Sequence, residues 1–263
     1  MRFPKINFMI LKKEQNKLNN LTMRFFSFIS VIAIVFSSHI AFSNKLNIDS
    51  LSNLKELRFE DENDGYKFII FPDWIKYCVN VQIVTFDKTD RIEIEEVVKD
   101  LALFPKLEEI NFINIGMKKV PYSLFELKNI KRICFSGNQI KIFPKQIKKW
   151  DQLEAFSCIN DGLTSKELVR ILVACPKLKY LDLRGCNIKS LPKQICLSQI
   201  SELLLSYNPI SNIPDCIYSC STLNSLVLTP TGGNVSPKEM HSLDIDELRK
   251  KFIDHGNSKL YLR

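Results

Sequence analysis

The chain has 263 residues, with 37 Lys and Arg against 29 Asp and Glu and a formal net charge of +8. That balance invites a nucleic-acid reading, but residues 1–43 hold six bases against Glu14 alone, so the remainder carries +3 and has no aromatic-interleaved basic motif. Nucleic-acid binding is therefore not expected, and eight glycines in the whole chain leave little room for a phosphate-cradling loop.

The first element is a leader. Met23-Arg24 precedes an apolar run from Phe25 to Phe36, then Ser37 to Ser43 with small residues at Ala41 and Ser43. A basic start, an apolar stretch of this length and small residues before Asn44 mark a secretory signal peptide, cleaved after Ser43. An uncleaved anchor is the alternative, since the run approaches the roughly 17 to 20 residues of a span once Ser37, Ser38 and His39 are counted. Met23 is a second candidate for the true start, and a start at Met1 favours the anchor. Membrane contact is expected only through residues 25–43, if these stay attached.

Residues 44–80 read as an N-terminal cap and an irregular first repeat. Leu46, Ile48, Leu51, Leu54 and Leu57 shield the open end of a core. Glu60 to Gly65 (E-D-E-N-D-G) is an acidic turn before Phe71-Pro72-x-x-Ile75. Its acids lack the spacing of a calcium loop, so a solvated loop is expected.

Residues 81–233 repeat one phrase. Its clearest copy is Leu178 to Ile188, L-K-Y-L-D-L-R-G-C-N-I, with Leu178, Leu181 and Leu183 on one side of a short strand and Lys179, Tyr180, Asp182 and Arg184 on the other. Ile130-Ile133-Phe135-Asn138-Ile140 and Ile200-Leu203-Leu205-Asn208-Ile210 repeat the spacing, weaker copies start at Val81, Leu107, Leu153 and Leu223, and the faintest starts at Leu54 with Leu57 and Phe59. From Val81 the starts lie 26, 23, 23, 25, 22 and 23 residues apart. A second half recurs as Val120-Pro121-x-x-Leu124, Phe143-Pro144-x-x-Ile147, Leu191-Pro192-x-x-Ile195 and Ile213-Pro214-x-x-Ile217. In these residues the sequence resembles the leucine-rich repeat family, in its form of about 23 residues with an L-P-x-x-I second half. The resemblance implies an α/β leucine-rich repeat solenoid: a curved stack with parallel β-strands on the concave face, an irregular or 3-10 convex side, and terminal caps.

Each column of the repeat has a physical task. The apolar strand positions build a continuous core. The ninth position lies inside the turn, where Asn138, Cys186 and Asn208, and Asp161 with them, can bond backbone groups; Ile115, Thr89 and Thr231 depart from that rule. Cys78, Cys175 and Cys220 share a core column with Phe104, Leu127, Trp150 and Leu197, while Cys158 takes a strand core position. Cys134, Cys196 and Cys216 have no packing role in this scheme. Cys196 and Cys216 occupy nearby convex positions of consecutive units, and the spacing leaves the bridged and free forms both open. No Cys-x-x-Cys or His-x-His set provides metal ligands.

Residues 234–263 leave the repeat. Ser236-Pro237-Lys238-Glu239 is a capping box, and Met240, Leu243, Leu248 and Phe252 give the apolar face of one helix, or of two divided near Asp244, that ends at Gly256. A lid over the last repeat is the expected role. His241 and His255 fall in this tail, where His241 with Asp244 or Asp246 makes a weak dyad. No catalytic motif accompanies them, so no enzymatic activity, cofactor or metal is expected.

The resemblance implies recognition: the concave face of leucine-rich repeat proteins commonly binds a protein or peptide. Arg132, Tyr180, Asp182, Arg184, Leu204 and Tyr207 are the candidate ligand-binding residues, being rich in the aromatic and arginine side chains of interface hot spots. The expected protein is exported, secreted, periplasmic or at the cell surface. A glycan or cell-wall ligand on the same face, or a structural or intracellular scaffold, is the alternative.

Overall fold

The computed structural model describes residues 5–6, 32–36, 40–41, 51–60, 73–88, 94–228, 244–256 and 261–262. The chain divides into two compact units, Met1–Leu107 and Glu108–Arg263. The acidic turn at 61–65, the capping box at 236–239, Thr89, Thr231 and His241 lie outside the described residues.

In the first unit the strands are β1 (Lys5–Ile6), β2 (Ile32–Phe36), β3 (Ile40–Ala41), β4 (Glu56–Glu60) and β5 (Ile83–Asp87), followed by helix α1 (Ile94–Leu101). β1 and β3 pair antiparallel, and β2, β4 and β5 lie side by side in parallel. Two stretches of the expected leader are thus extended, and one of them pairs with β4. Leu57 and Phe59 face Val84 and Phe86 in register, and the two phenylalanine rings stack 5.1 Å apart. The weak copies of the repeat at Leu54 and Val81 therefore both form strands whose apolar alternation enters the core.

In the second unit β6 (Glu109–Ile113), β7 (Arg132–Ser136), β8 (Ala155–Ile159), β9 (Tyr180–Asp182), β10 (Glu202–Leu204), β11 (Ser225–Val227) and β12 (Tyr261–Leu262) run parallel in chain order. The register sets equal repeat positions opposite one another, so Ile110, Ile133, Phe156, Leu181, Leu203 and Leu226 form one buried row. A phenylalanine spine lies behind it: Phe112 to Phe135 at 5.7 Å, Phe135 to Phe143 at 5.5 Å and Phe143 to Phe156 at 5.3 Å. Lys131–Glu108, Arg132–Glu109 and Lys179–Glu154 pair across adjacent repeats and reinforce the register.

The ninth column forms the expected ladder. Asn138 accepts at Oδ1 from the backbone N–H of Ile115 and Met117, and donates from Nδ2 to the carbonyls of Phe112 and Ser136. Asn208 makes the equivalent bonds to Ile188, Leu183 and Leu205, while the Cys186 thiol donates to the carbonyl of Cys158 at 2.8 Å. The turns of successive repeats are thus stitched by hydrogen bonds from side chains of this column to backbone groups.

On the opposite side the Pro-bearing second halves form the expected 3-10 helices, among them Tyr122–Glu126, Lys145–Lys149 and Lys193–Leu197. Two second halves differ. α1 and α2 (Ser165–Ala174) are α-helices, and they occur in the 26- and 25-residue units, the longest of the series. Neither segment carries the proline, and Leu168, Ile171 and Leu172 supply a helical apolar stripe. Buried Glu167 then accepts from the Phe143 backbone N–H at 3.0 Å, and Arg170 donates to the Phe143 carbonyl at 2.7 Å, tying α2 to the preceding repeat.

In the core column Cys78, Phe104, Trp150, Cys175 and Cys220 are buried as expected, Leu127 is half-buried, and Leu197 is turned out at 87% exposure. Only five residues separate Ile195 from the next repeat start at Ile200, against six from Ile147 to Leu153. That missing residue turns Leu197 outward. Beside it Cys196 and Cys216 are joined by a disulfide, which clips consecutive 3-10 segments and, across 20 residues of chain, contributes about 3 kcal/mol in the loop-entropy account.

Helix α3 (Ile245–Asp254) covers the last repeats. Asp244 caps it, accepting from the N–H groups of Asp246 and Glu247. Leu248 and Phe252 are buried, with Phe252 edge-on to Tyr218 at 5.0 Å, and Gly256 ends the helix at φ +78°. Among the described residues no helix is long and apolar enough to cross a membrane, and no cluster of His, Cys, Asp and Glu has the arrangement of a metal site.

Candidate interaction surface

Alternation along the strands of the second unit presents three rows of side chains opposite the core. One row reads Glu109, Arg132, Ala155, Tyr180, Glu202, Ser225; the next reads Asn111, Cys134, Ser157, Asp182, Leu204, Val227. Asp182 is the single ionisable carboxylate of the second row, and it is only 1% exposed.

What covers Asp182 is its own strand and turn. Arg184 donates to it from Nε at 2.9 Å and from Nη2 at 2.7 Å, and the Arg184 backbone N–H adds a third bond at 3.2 Å. The Tyr180 hydroxyl approaches Asp182 Oδ2 at 3.5 Å. Tyr180 from the strand and Arg184 from the turn that follows it therefore close over a buried charge, Tyr180 sharing the face of Asp182 because i and i+2 point the same way. The hydrogen bond from Arg184 to Asp182 holds the guanidinium charged, above its ordinary value, and burial followed by the Asp182 charge pushes the Tyr180 phenol up. Nε and Nη2 are spent on Asp182, and Nη1 is directed at no described residue.

Leu204 stands next to Asp182 in register and is partly exposed. Tyr207 adopts φ +64°, the left-handed region. Its column explains the conformation: Lys88, Asn114, Gly137, Asn160 and Gly185, all at the eighth position, are left-handed too. Asn and Gly tolerate that backbone, whereas a tyrosine pays about 1–2 kcal/mol. The eighth column was not singled out from the sequence, although its run of Asn and Gly residues is the signal that identifies it.

Arg132 does not join this cluster. It lies two strands away, across Ala155, and pairs with Glu109 at 2.5 Å. Cys134, between Asn111 and Ser157 on the same face, has its thiol pushed up to about 12, by burial first and then by the charge of Asp182, so it is not a nucleophile. His255 and Asp244 both belong to the ends of α3: Asp244 caps its start, and at its end the His255 ring lies against Tyr218 while its Nδ1 contacts the Lys251 carbonyl. Asp182 itself departs from expectation in being a buried support for Arg184 rather than an exposed contact.

Parallel strands in strict repeat register, an asparagine and cysteine ladder, and 3-10 second halves define a leucine-rich repeat solenoid. Residues 177–197 match the Leucine Rich Repeat family. A leucine-rich repeat protein of Leptospira interrogans has a similar structure, with a TM-score of 0.55 at 20% identity over 82% of this chain and 55% of that one. The sequence is also 26% identical to adenylate cyclase of Schizosaccharomyces pombe over 56% of this chain, and 28% identical to human Toll-like receptor 1 over 43% of it. These matches span 9% of the cyclase and 14% of the receptor, so the chain corresponds to a small part of each. The fold is thus that of a leucine-rich repeat solenoid, and the unit at residues 177–197 is a leucine-rich repeat in sequence as well.

Proposed function

We propose that this protein binds another protein or a peptide, without chemistry, through the strand face around Tyr180, Arg184, Leu204 and Tyr207, and that it does so outside the cytoplasm. The observation that carries the reading is the buried Asp182–Arg184 pair. Burying a carboxylate is costly unless it is paired, and here the pairing fixes an arginine with unspent donors between two tyrosines, ready to receive a carboxylate or carbonyl of a ligand. The left-handed Tyr207 points the same way, since strain retained at a surface residue is a mark of function.

Screening against a panel of extracellular proteins, peptides and polysaccharides identifies the ligand. With it, Tyr180→Ala and Arg184→Ala each weaken binding at least about tenfold, whereas Arg132→Ala leaves it within about twofold. Tyr207→Asn weakens binding while raising stability by about 1 kcal/mol, because asparagine accepts the left-handed backbone. Unchanged affinity in Arg184→Ala and Tyr180→Ala would exclude this face.

Export rests on the leader-like residues 23–43 and on the Cys196–Cys216 bridge, which suits an oxidising compartment. The N-terminal sequence of protein isolated from its native cell should begin near Asn44. A cytosolic protein starting at Met1 or Met23 would make an intracellular scaffold the better reading.

A further inference from the structure

Charge is distributed unevenly along this chain. From residue 44 onward the formal charge is +3, yet residues 116–150 hold nine bases against Glu126 alone, or +8, which leaves the rest at −5. Lys131 and Arg132 of this segment lie on the strand side, paired with Glu108 and Glu109, and Lys149 pairs with Glu126. Lys118, Lys119, Lys141, Lys145 and Lys148 are exposed and form no ion pair with an acid among the described residues, and exposed Lys128 lies within electrostatic reach of Glu126.

Stacking of two consecutive repeats gathers these lysines. The Gln139 N–H donates to the Met117 carbonyl at 2.8 Å, which sets the turn at Lys118 beside the turn at Lys141. The Glu126–Lys149 pair sets the 3-10 helix Tyr122–Glu126 beside Lys145–Lys149. Two large apolar side chains stand among the lysines, Tyr122 at 64% exposure and Ile142 at 66%. The stem of Lys141 passes over Gly162, where a Cβ would meet Lys141 Cγ at 3.0 Å, so this lysine is partly positioned by the next repeat.

We propose that this 3-10 side of residues 116–150 docks the protein on an anionic lipid surface. The lysines complement acidic headgroups, each strengthening binding about fivefold near the surface. Tyr122 and Ile142 reach the boundary between headgroups and acyl chains, where an aromatic ring and an aliphatic branch both gain. A hydrated polyanion satisfies the lysines and does nothing for Ile142. Nucleic-acid phosphates are moreover gripped best by the planar fork of arginine, and the one arginine of the segment, Arg132, is on the other side of the sheet, paired to Glu109. The lipid-facing side and the strand face are opposite sides of the same repeats, which leaves the Arg184 cluster open to solvent.

The test is flotation of the full chain with vesicles of phosphatidylcholine alone or with about 30% phosphatidylglycerol. Binding to the anionic vesicles should exceed binding to the neutral ones and fall as salt rises. A Lys118→Gln/Lys141→Gln/Lys145→Gln variant should bind anionic vesicles about 100-fold more weakly, a Tyr122→Ser/Ile142→Ser variant several-fold more weakly, and Lys250→Gln on α3 as wild type. All these residues are exposed, and an unchanged thermal midpoint confirms that each variant folds. Wild-type vesicle binding by the triple lysine variant would overturn the proposal and assign association to the apolar run at 25–36. Undiminished binding by the Tyr122/Ile142 variant, with heparin or RNA competing fully, would overturn it in favour of a hydrated polyanion.

Discussion

Replacing Asp161 with asparagine will stabilise this protein at neutral pH by about 2–3 kcal/mol and remove one component of its pH dependence. Asp161 holds the ninth position of its repeat, is 6% exposed, and accepts at Oδ1 from the Ile140 N–H at 2.9 Å. In the preceding repeat Asn138 fills the same place and uses its amide to donate to two carbonyls. A carboxylate has no such donor, and Asp161 Oδ2 is buried without a hydrogen-bond partner. Burial therefore pushes the acid from its ordinary 3.8 up to about 6, with the backbone N–H groups of Ile140 and Asn138 pulling more weakly the other way.

The sign follows from linkage. Between about pH 4 and about pH 6 the folded protein holds a proton on Asp161 that the unfolded chain has released, so wild-type stability falls as pH rises through that window and is level above it. Asp161→Asn does not titrate and supplies the missing donor. Urea denaturation of both proteins across the window should give a stability difference that grows with pH to a plateau near neutrality. A constant difference would mean that Asp161 is already compensated in the native state.

The second large effect concerns the spine. Phe135→Ala should destabilise by about 3–5 kcal/mol, because the ring is fully buried and packs against Phe112, Phe143 and Phe156 in three consecutive repeats. Each repeat contacts its neighbours alone, so a cavity here weakens two interfaces at once. Hydrogen exchange should show protection lost first in β6, β7 and β8, with β10 and β11 less affected. A uniform loss across all strands would indicate that the repeats unfold as one cooperative block.

Residues at equal repeat positions were the legible part of the sequence. Leu178, Leu181 and Leu183, or Ile130, Ile133 and Phe135, are all buried, and Asn138 and Asn208 bond backbone groups as their column requires. Even the degenerate strand at Leu57 and Phe59 was visible in the spacing. The candidate cluster was legible as alternate residues of one strand and the turn after it, Tyr180, Asp182 and Arg184, and its extension to Leu204 followed from the register.

A periodic sequence records columns because each repeat packs on its neighbours at the same position, and the same demand recurs every 23 residues or so. On its own the sequence therefore determined the solenoid, the strand positions and the core rows. Contacts between columns depend on neighbours that no column specifies. Only the tertiary structure decided that Arg184 folds back to bury Asp182, that Arg132 is spent on Glu109, and that Cys196 meets Cys216. It also decided that Leu197 turns outward, because one residue fewer before Ile200 rotates the last 3-10 turn away from the core. α1 and α2 belong with these: two or three extra residues and no proline let a helix replace a 3-10 turn, and burial of Leu168 and Ile171 fixes its orientation.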